Sequence, residues 1–272
     1  MPAIAYQTHC AATIPIEFGR SKERQLLSHL DFTAERSHYL VNRPLRSFQS
    51  GGREYALPRY LWRGPQGGGD TLRIGIFAGL HGNETEGALA ITRLISELSR
   101  QPELSKEFAL YLYPLCNPTG FEDGTAKSRE GRLLSKEFWK SSSAPEIESL
   151  ESEIWMQAFH GIVNLRSDSE LSGIRGEASG AVLSECLLNP ALQAASAYLP
   201  RANAAPESAS IIYKKASNGA LRAVRGLTPP PFEIQLTTPS QSRLDLQVEA
   251  LTAALQSILT EFRGVQAIGA NI

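Results

Sequence analysis

A histidine and a glutamate three residues apart, His81 and Glu84 in the run HGNETEG, have types and spacing that can do chemistry. A short apolar run, Arg73 to Leu80, ends just before them. Ala88, Ile91, Leu94, Ile95 and Leu98 follow at helical spacing. The pair therefore falls where a buried strand gives way to a helix. Its spacing puts both side chains on one side of the first helical turn. An imidazole and a carboxylate there can share a divalent ion, and zinc accepts N and O ligands together. Open α/β sheets also bind ligands at the carboxyl ends of their strands. In the plainer reading, Glu84 favours the helix N-terminus electrostatically and His81 is a polar turn residue. Alone, H-x-x-E is compatible with both.

The surrounding pattern must position that pair. Residues 22–42 read as one helix with a ragged apolar face, and 43–63, with SGG at 50–52, as a hairpin. GPQGGGD at 64–70 is a loop, and FALYLYPL at 108–115 is a second buried strand followed by the turn residues CNPTG. Residues 121–144 are polar and irregular. A helix over Glu146 to Phe159 feeds the strand GIVNL at 161–165. Residues 178–199 read as helix broken at Pro190, 199–210 as loop, and FEIQL at 232–236 as a strand behind Pro229, Pro230 and Pro231. Leu244, Val248, Leu251, Leu255, Ile258 and Phe262 form the apolar stripe of a last helix. Strands alternating with helices, with no internal repeat, predict one α/β sheet with helices on both faces. The expected organisation is a single domain over 1–272 with an N-terminal extension of about 1–70.

Composition narrows the function classes. The chain has 272 residues, 42% apolar and 20% charged, which suits a folded domain with a real core. Lys and Arg total 27 against 28 Asp and Glu, a net charge of −1, so neither a nucleic-acid nor an anionic-membrane partner is indicated. Cys10, Cys116 and Cys186 lie far apart with no metal or disulfide-scaffold spacing, which points to a reducing compartment. The N-terminal segment has no basic and apolar leader pattern, and no run approaches the length of a membrane helix. A cytoplasmic location follows by elimination. No phosphate-binding G-x-x-x-x-G-K-[ST] loop is present.

Several motifs recur in a particular order. FAGLHGNETEGALA is followed by YPLCNPTGFEDGT, a basic stretch ending in EFW, and a late strand leading into TP. In this the chain resembles the succinylglutamate desuccinylase/aspartoacylase family of the zinc carboxypeptidase superfamily, from about Ile74 to the C-terminus. The resemblance implies a single-domain carboxypeptidase-like α/β fold with a mixed sheet and helices on both faces. It also implies zinc, held by two His and one Glu, and action on the amide of an N-acyl amino acid. The family's H-x-x-E falls on His81 and Glu84.

Other positions depart from the family pattern. Where the family has LHSD, with its third zinc ligand, this chain reads LRSD, placing Arg166 there. Where DLNR supplies an Asn-Arg clamp for the substrate carboxylate, LLSKEFW supplies Ser135 and Lys136. Where ETP supplies the general base, FEIQLTTP supplies Thr237. Arg129 is a loose match to another substrate-binding Arg. A guanidinium stays protonated and cannot ligate zinc. Loss of outer-sphere partners alone costs about 10–100-fold in metal affinity, and loss of a ligand costs more. A threonine has no useful basicity, and a missing base costs a factor of about 10²–10⁴. Lys136 keeps the clamp's charge but not its planar fork.

Zinc is therefore doubtful here. The expected function is a degenerate hydrolase-like protein, inactive or repurposed to bind small carboxylates or N-acyl amino acids. The rivals are a zinc-dependent amide or ester hydrolase with rerouted ligands, and an interaction scaffold. Asp168, just past the strand end, is the weak candidate for a replacement ligand. His160 belongs at the far end of the same strand, roughly 20 Å away. His9, His29 and His38 read as surface or partly packed residues. Trp62, Trp139 and Trp155 read as core or rim packing. Neither Ser128 nor Ser167 has a neighbouring His-acid pair in sequence. With no metal in place, Glu84 needs a partner, and Arg166 is expected to pair with it and to fill the metal's space.

Overall fold

Two apolar strands, β5 (Leu72–Phe77) and β6 (Phe108–Tyr113), lie side by side and parallel at the centre of a large sheet. The computed structural model describes residues 22–179, 182–202, 211–213, 221–224, 226 and 230–269. The helix α1 (Lys22–Arg36) and the strand β1 (Leu40–Asn42) precede these two strands. A separate hairpin, β2 (Ser47–Ser50) and β3 (Arg53–Ala56), and then β4 (Tyr60–Arg63) come next. After β5 comes α2 (Glu86–Arg100), and after β6 come α3 (Pro118–Asp123) and α4 (Pro145–Gln157). The rest is β7 (Gly161–Asp168), β8 (Arg175–Ser179), α5 (Val182–Ala195), β9 (Ile211–Tyr213), β10 (Phe232–Pro239) and α6 (Leu244–Gly269).

Among the described residues the sheet has eight strands in the order β1-β4-β6-β5-β7-β10-β8-β9. β6, β5, β7 and β10 run parallel, while β4 pairs antiparallel with β6, and β8 with β10. It is thus the expected mixed α/β sheet. The chain leaves β5 toward β6 and returns on the other side as β7. This reversal opens a crevice at the carboxyl end of β5, the place such sheets use for ligands.

Alternation along each strand sends side chains to opposite faces. Val163 and Leu165 of β7, with Ile234 and Leu236 of β10, join a core beneath α1, α2, α5 and α6. Ile162 joins a second core with Phe77, Tyr113, Phe138 and Phe159 and with Ile147, Leu150 and Ile154 of α4. Helices therefore cover both faces.

Several boundaries differ from the sequence reading. The helix predicted over 22–42 stops at Arg36, and Leu40–Asn42 pairs with Tyr60–Trp62 as an edge strand. Leu40 is buried on that edge, so sheet pairing overrides local helical periodicity. The helix predicted over 178–199 begins only at Val182, because Arg175–Ser179 is a strand on the flank of β10. Pro190 does not break that helix. Leu187, Leu188, Ala191, Leu192 and Ala195 are buried around it, and their packing outweighs the missing backbone hydrogen bond. Across the CNPTG turn and the start of the segment read as irregular, Asn117 caps α3 by accepting from the Gly120 N–H at 2.9 Å, and Gly124 closes it in the left-handed conformation. Trp62 is core, but Trp155 is 68% exposed beside the exposed Met156, not packed as expected. His9, Cys10 and most of the 199–210 loop lie outside the described residues. No helix among the described residues is long and apolar enough to cross a membrane.

Candidate functional site

The turn between β5 and α2 is held close to α3, and it presents His81 and Glu84 at the mouth of the crevice. The Glu84 N–H bonds the His81 carbonyl at 3.1 Å, which folds the turn back on itself. His81 Nδ1 then lies 3.0 Å from Glu84 Oε1. Arg166 reaches both residues from β7, since its place on the strand puts it on the same face as Asn164. Its Nε donates to Glu84 Oε2 at 2.9 Å and Oε1 at 3.2 Å, and its Nη2 donates to Oε1 at 3.1 Å. The same Nη2 lies 2.8 Å from His81 Nδ1 and 3.1 Å from Nε2. Glu84 is buried, with its side chain only 5% exposed, so the guanidinium is its charge partner in a poorly solvated place. The pairing expected of Arg166 is present.

This arrangement does not fit a zinc ion. His81 and Glu84 offer their donor atoms to a guanidinium, and the third family position contributes a cation where a neutral or anionic donor is needed. Asp168 lines the same cavity, but its recorded contacts are to the Glu170 N–H at 2.9 Å and to Arg175 at 3.9 Å. Among the described residues no group of three His, Cys, Asp or Glu side chains comes together.

Beside the cluster is a polar cavity of about 520 Å3. His81, Glu84 and Arg166 form one wall, and Asp168, Arg175, Glu177, Gln235 and Thr237 line it further. Thr237, the residue the sequence reading set against the family base, sits directly across from Arg166 in the β7–β10 register, and it is buried. Gln235 accepts from Asn164 Nδ2 at 3.1 Å and donates to Thr237 Oγ1 at 3.4 Å. Arg175 pairs with Glu177 at 3.4 Å, while its Nε is buried with no hydrogen-bond partner among the described residues. Sequence reasoning missed Arg175. It lies at the start of a strand in a stretch the sequence reading gave no element, and the sheet pairing brings it to the cavity.

The clamp positions fall elsewhere. Ser135 lies in a short 3-10 turn, Leu134–Lys136, and its Oγ is 3.1 Å from His81 Nε2. Lys136 next to it is exposed. Arg129 faces away from the cavity, donating to Asp123 at 2.9 Å and 2.5 Å and to the Tyr55 hydroxyl. These bonds hold the Asp123 carboxyl below its usual range. Glu86, two residues beyond Glu84, is buried with Oε1 unpartnered, and burial raises its carboxyl above the usual range despite a bond from Ser167. His160 accepts the Arg73 N–H at 2.9 Å at the far end of β7, and desolvation lowers its basicity. His29 and His38 are exposed.

Residues 70–144 match the family model described as the succinylglutamate desuccinylase/aspartoacylase catalytic domain. The resemblance read from the motifs is thus found independently over the segment carrying His81, Glu84, Ser135 and Lys136. No curated protein sequence matches the chain at a significant level. Among solved structures, a candidate metallopeptidase from Shewanella amazonensis superposes with a TM-score of 0.70 at 22% identity, over 88% of this chain and 93% of that one. A metallo-carboxypeptidase from Burkholderia cenocepacia gives 0.69 at 13% identity, over 90% of this chain and 70% of its own. One from Pseudomonas aeruginosa, solved in complex with (2-guanidinoethylmercapto)succinic acid, gives 0.60 at 18% identity, over 88% and 68%. The fold is that of the zinc carboxypeptidases.

Proposed function

We propose that this carboxypeptidase-like protein has exchanged its metal for an internal cation, does not carry out zinc-dependent hydrolysis, and binds a small carboxylate of the N-acyl amino acid class in the cavity beside Arg166. One observation carries the reading: the Arg166 guanidinium bonds both Glu84 oxygens and abuts both ring nitrogens of His81. A cation in that place repels Zn²⁺ and occupies the atoms that would hold it. Thr237, beside it, is no base.

Arg166 is consumed by these contacts, so the ligand's anchor is Arg175. Arg175 lines the cavity with its side chain partly exposed, and its carboxylate neighbours stand at 3.4 Å and 3.9 Å, at the long end of ion-pair contact. A ligand carboxylate would pair with the exposed part of that guanidinium, and a charge-assisted hydrogen bond of this kind contributes about 1.5–3 kcal/mol. The succinic-acid derivative in the Pseudomonas enzyme is a carboxylate of similar size.

The test pairs metal analysis with calorimetry, on protein purified without chelator or added metal. Zinc should be well below one equivalent. N-succinylglutamate should bind, and Arg175→Ala should weaken binding about 10–100-fold. One equivalent of tight zinc, lost on Glu84→Ala, would instead establish a hydrolase with rerouted ligands. A folded protein that binds no such carboxylate would favour the scaffold reading.

A further inference from the structure

We infer that Ser135, His81 and Glu84 form a nucleophilic relay capable of metal-independent acyl transfer, a chemistry beyond the binding role above. Ser135 Oγ lies 3.1 Å from His81 Nε2, and His81 Nδ1 lies 3.0 Å from Glu84 Oε1. Nucleophile to base, and base to orienting carboxylate, are both within hydrogen-bond reach, and the two ring nitrogens are used in the order the chemistry requires. Glu84 is buried, as an orienting carboxylate should be, His81 lines the cavity, and Ser135 behind it is partly exposed.

The relay requires one tautomer of His81. With the proton on Nδ1, the ring donates to Glu84, and the single lone pair of Nε2 accepts from Ser135. Both approaches of Arg166 Nη2 to the ring are then electrostatic contacts without an acceptor. With the proton on Nε2, the Glu84 contact and the Nη2–Nε2 contact are both mismatched. The first tautomer is the one in which His81 can take the serine proton.

Arg166 gives the relay an electrostatic partner. Its guanidinium sits against the imidazole and lines the cavity. A fixed cation there favours negative charge developing on an acyl oxygen. In the reaction, Ser135 Oγ bonds to the acyl carbon and its proton passes to His81 Nε2. The bond to the leaving oxygen or nitrogen breaks, and that atom takes the proton from His81. Water then attacks the acyl-serine and gives up a proton to His81; the acyl–Oγ bond breaks, Ser135 Oγ takes that proton from His81, and the acid is released. No oxidant, reductant or metal enters the balance.

A fluorophosphonate ester tests the nucleophile directly, because its capture forms an Oγ–P bond, expels fluoride and sends the serine proton to the base. The intact protein should take up one equivalent, mapped by peptide mass spectrometry to Ser135 and unaffected by EDTA. Ser135→Ala should abolish it. His81→Gln, checked for folding by circular dichroism, should slow it by a factor of about 10²–10⁴. Labelling no faster than that of a simple serine amide, labelling at another residue, or a rate unchanged by His81→Gln would each overturn the relay. N-succinylglutamate calorimetry on the same sample reads the cavity separately. Binding without labelling removes the relay alone, and labelling without binding removes the carboxylate reading alone.

Discussion

Glu84 makes Arg166 hard to change. The carboxylate is 5% exposed, and the guanidinium is its permanently charged partner. Truncating one member of such a pair strands the other in a poorly solvated place, which costs about 3–5 kcal/mol, whereas replacing both by apolar groups of similar volume is often neutral. Arg166→Ala should therefore lower unfolding stability by about 3 kcal/mol in a denaturant titration, and Arg166→Met with Glu84→Met should recover most of the loss. An Arg166→Ala protein within about 0.5 kcal/mol of the parent, as for an ordinary surface change, would show that the pair does not hold the site together. This pairing was legible in the sequence because it needs only a strand end, a helix start and a charge that must be neutralised. The contact of Ser135 with His81 was not. The two are separated by 54 residues that include the irregular stretch, and no periodicity fixes where a 3-10 turn will set a hydroxyl.

At the scale of elements, the turn carrying His81 owes its position to α3. A Cβ on Gly82 would stand 2.0 Å from the Gly120 carbonyl carbon and 2.2 Å from the Phe121 nitrogen, both backbone atoms that cannot swing away. Gly82→Ala should thus push the turn off α3, costing about 1–3 kcal/mol by overpacking, and should loosen the Glu84–Arg166 pair with it. Thermal unfolding checks the stability, and a crystal structure of the variant checks the displacement. A variant of unchanged stability with Arg166 still on Glu84 would mean that α3 yields instead. Elements with strong apolar periodicity, β5, α2, β6 and α6, were readable because their own residues dictate a buried face. β1 and β8 were not, since RGEAS has neither alternation nor length and exists as a strand through its pairing with β10 and β9. The same borrowed pairing places Arg175 in the cavity.

For the whole molecule, the question is whether the zinc-carboxypeptidase scaffold still holds the geometry of the site it has filled. The sheet suggests that it does. Thr237 and Arg166 are register partners on adjacent parallel strands, and His81 and Glu84 cap the strand beside them. The side chains read against the family's metal and base positions thus sit on three neighbouring elements. What substitution can alter there is side-chain chemistry. Arg166→His replaces the competing cation with a donor and frees Glu84 and His81 to act as ligands, the donor set of two imidazoles and a carboxylate that zinc accepts. Restoring Thr237→Glu, Ser135→Asn and Lys136→Arg as well returns the base and clamp, but metal uptake needs only the first change. The Arg166→His protein should bind close to one equivalent of zinc. Ligand linkage then predicts an added stability of about 2.7 kcal/mol at a free zinc concentration one hundred times the dissociation constant. The parent should show neither effect. Zinc analysis and denaturation with and without the metal read both. If folded Arg166→His protein takes up no zinc, the turn and β7 have moved apart from a ligating arrangement, and the correspondence of His81 and Glu84 with metal ligands fails at the level of backbone geometry rather than at one substituted side chain.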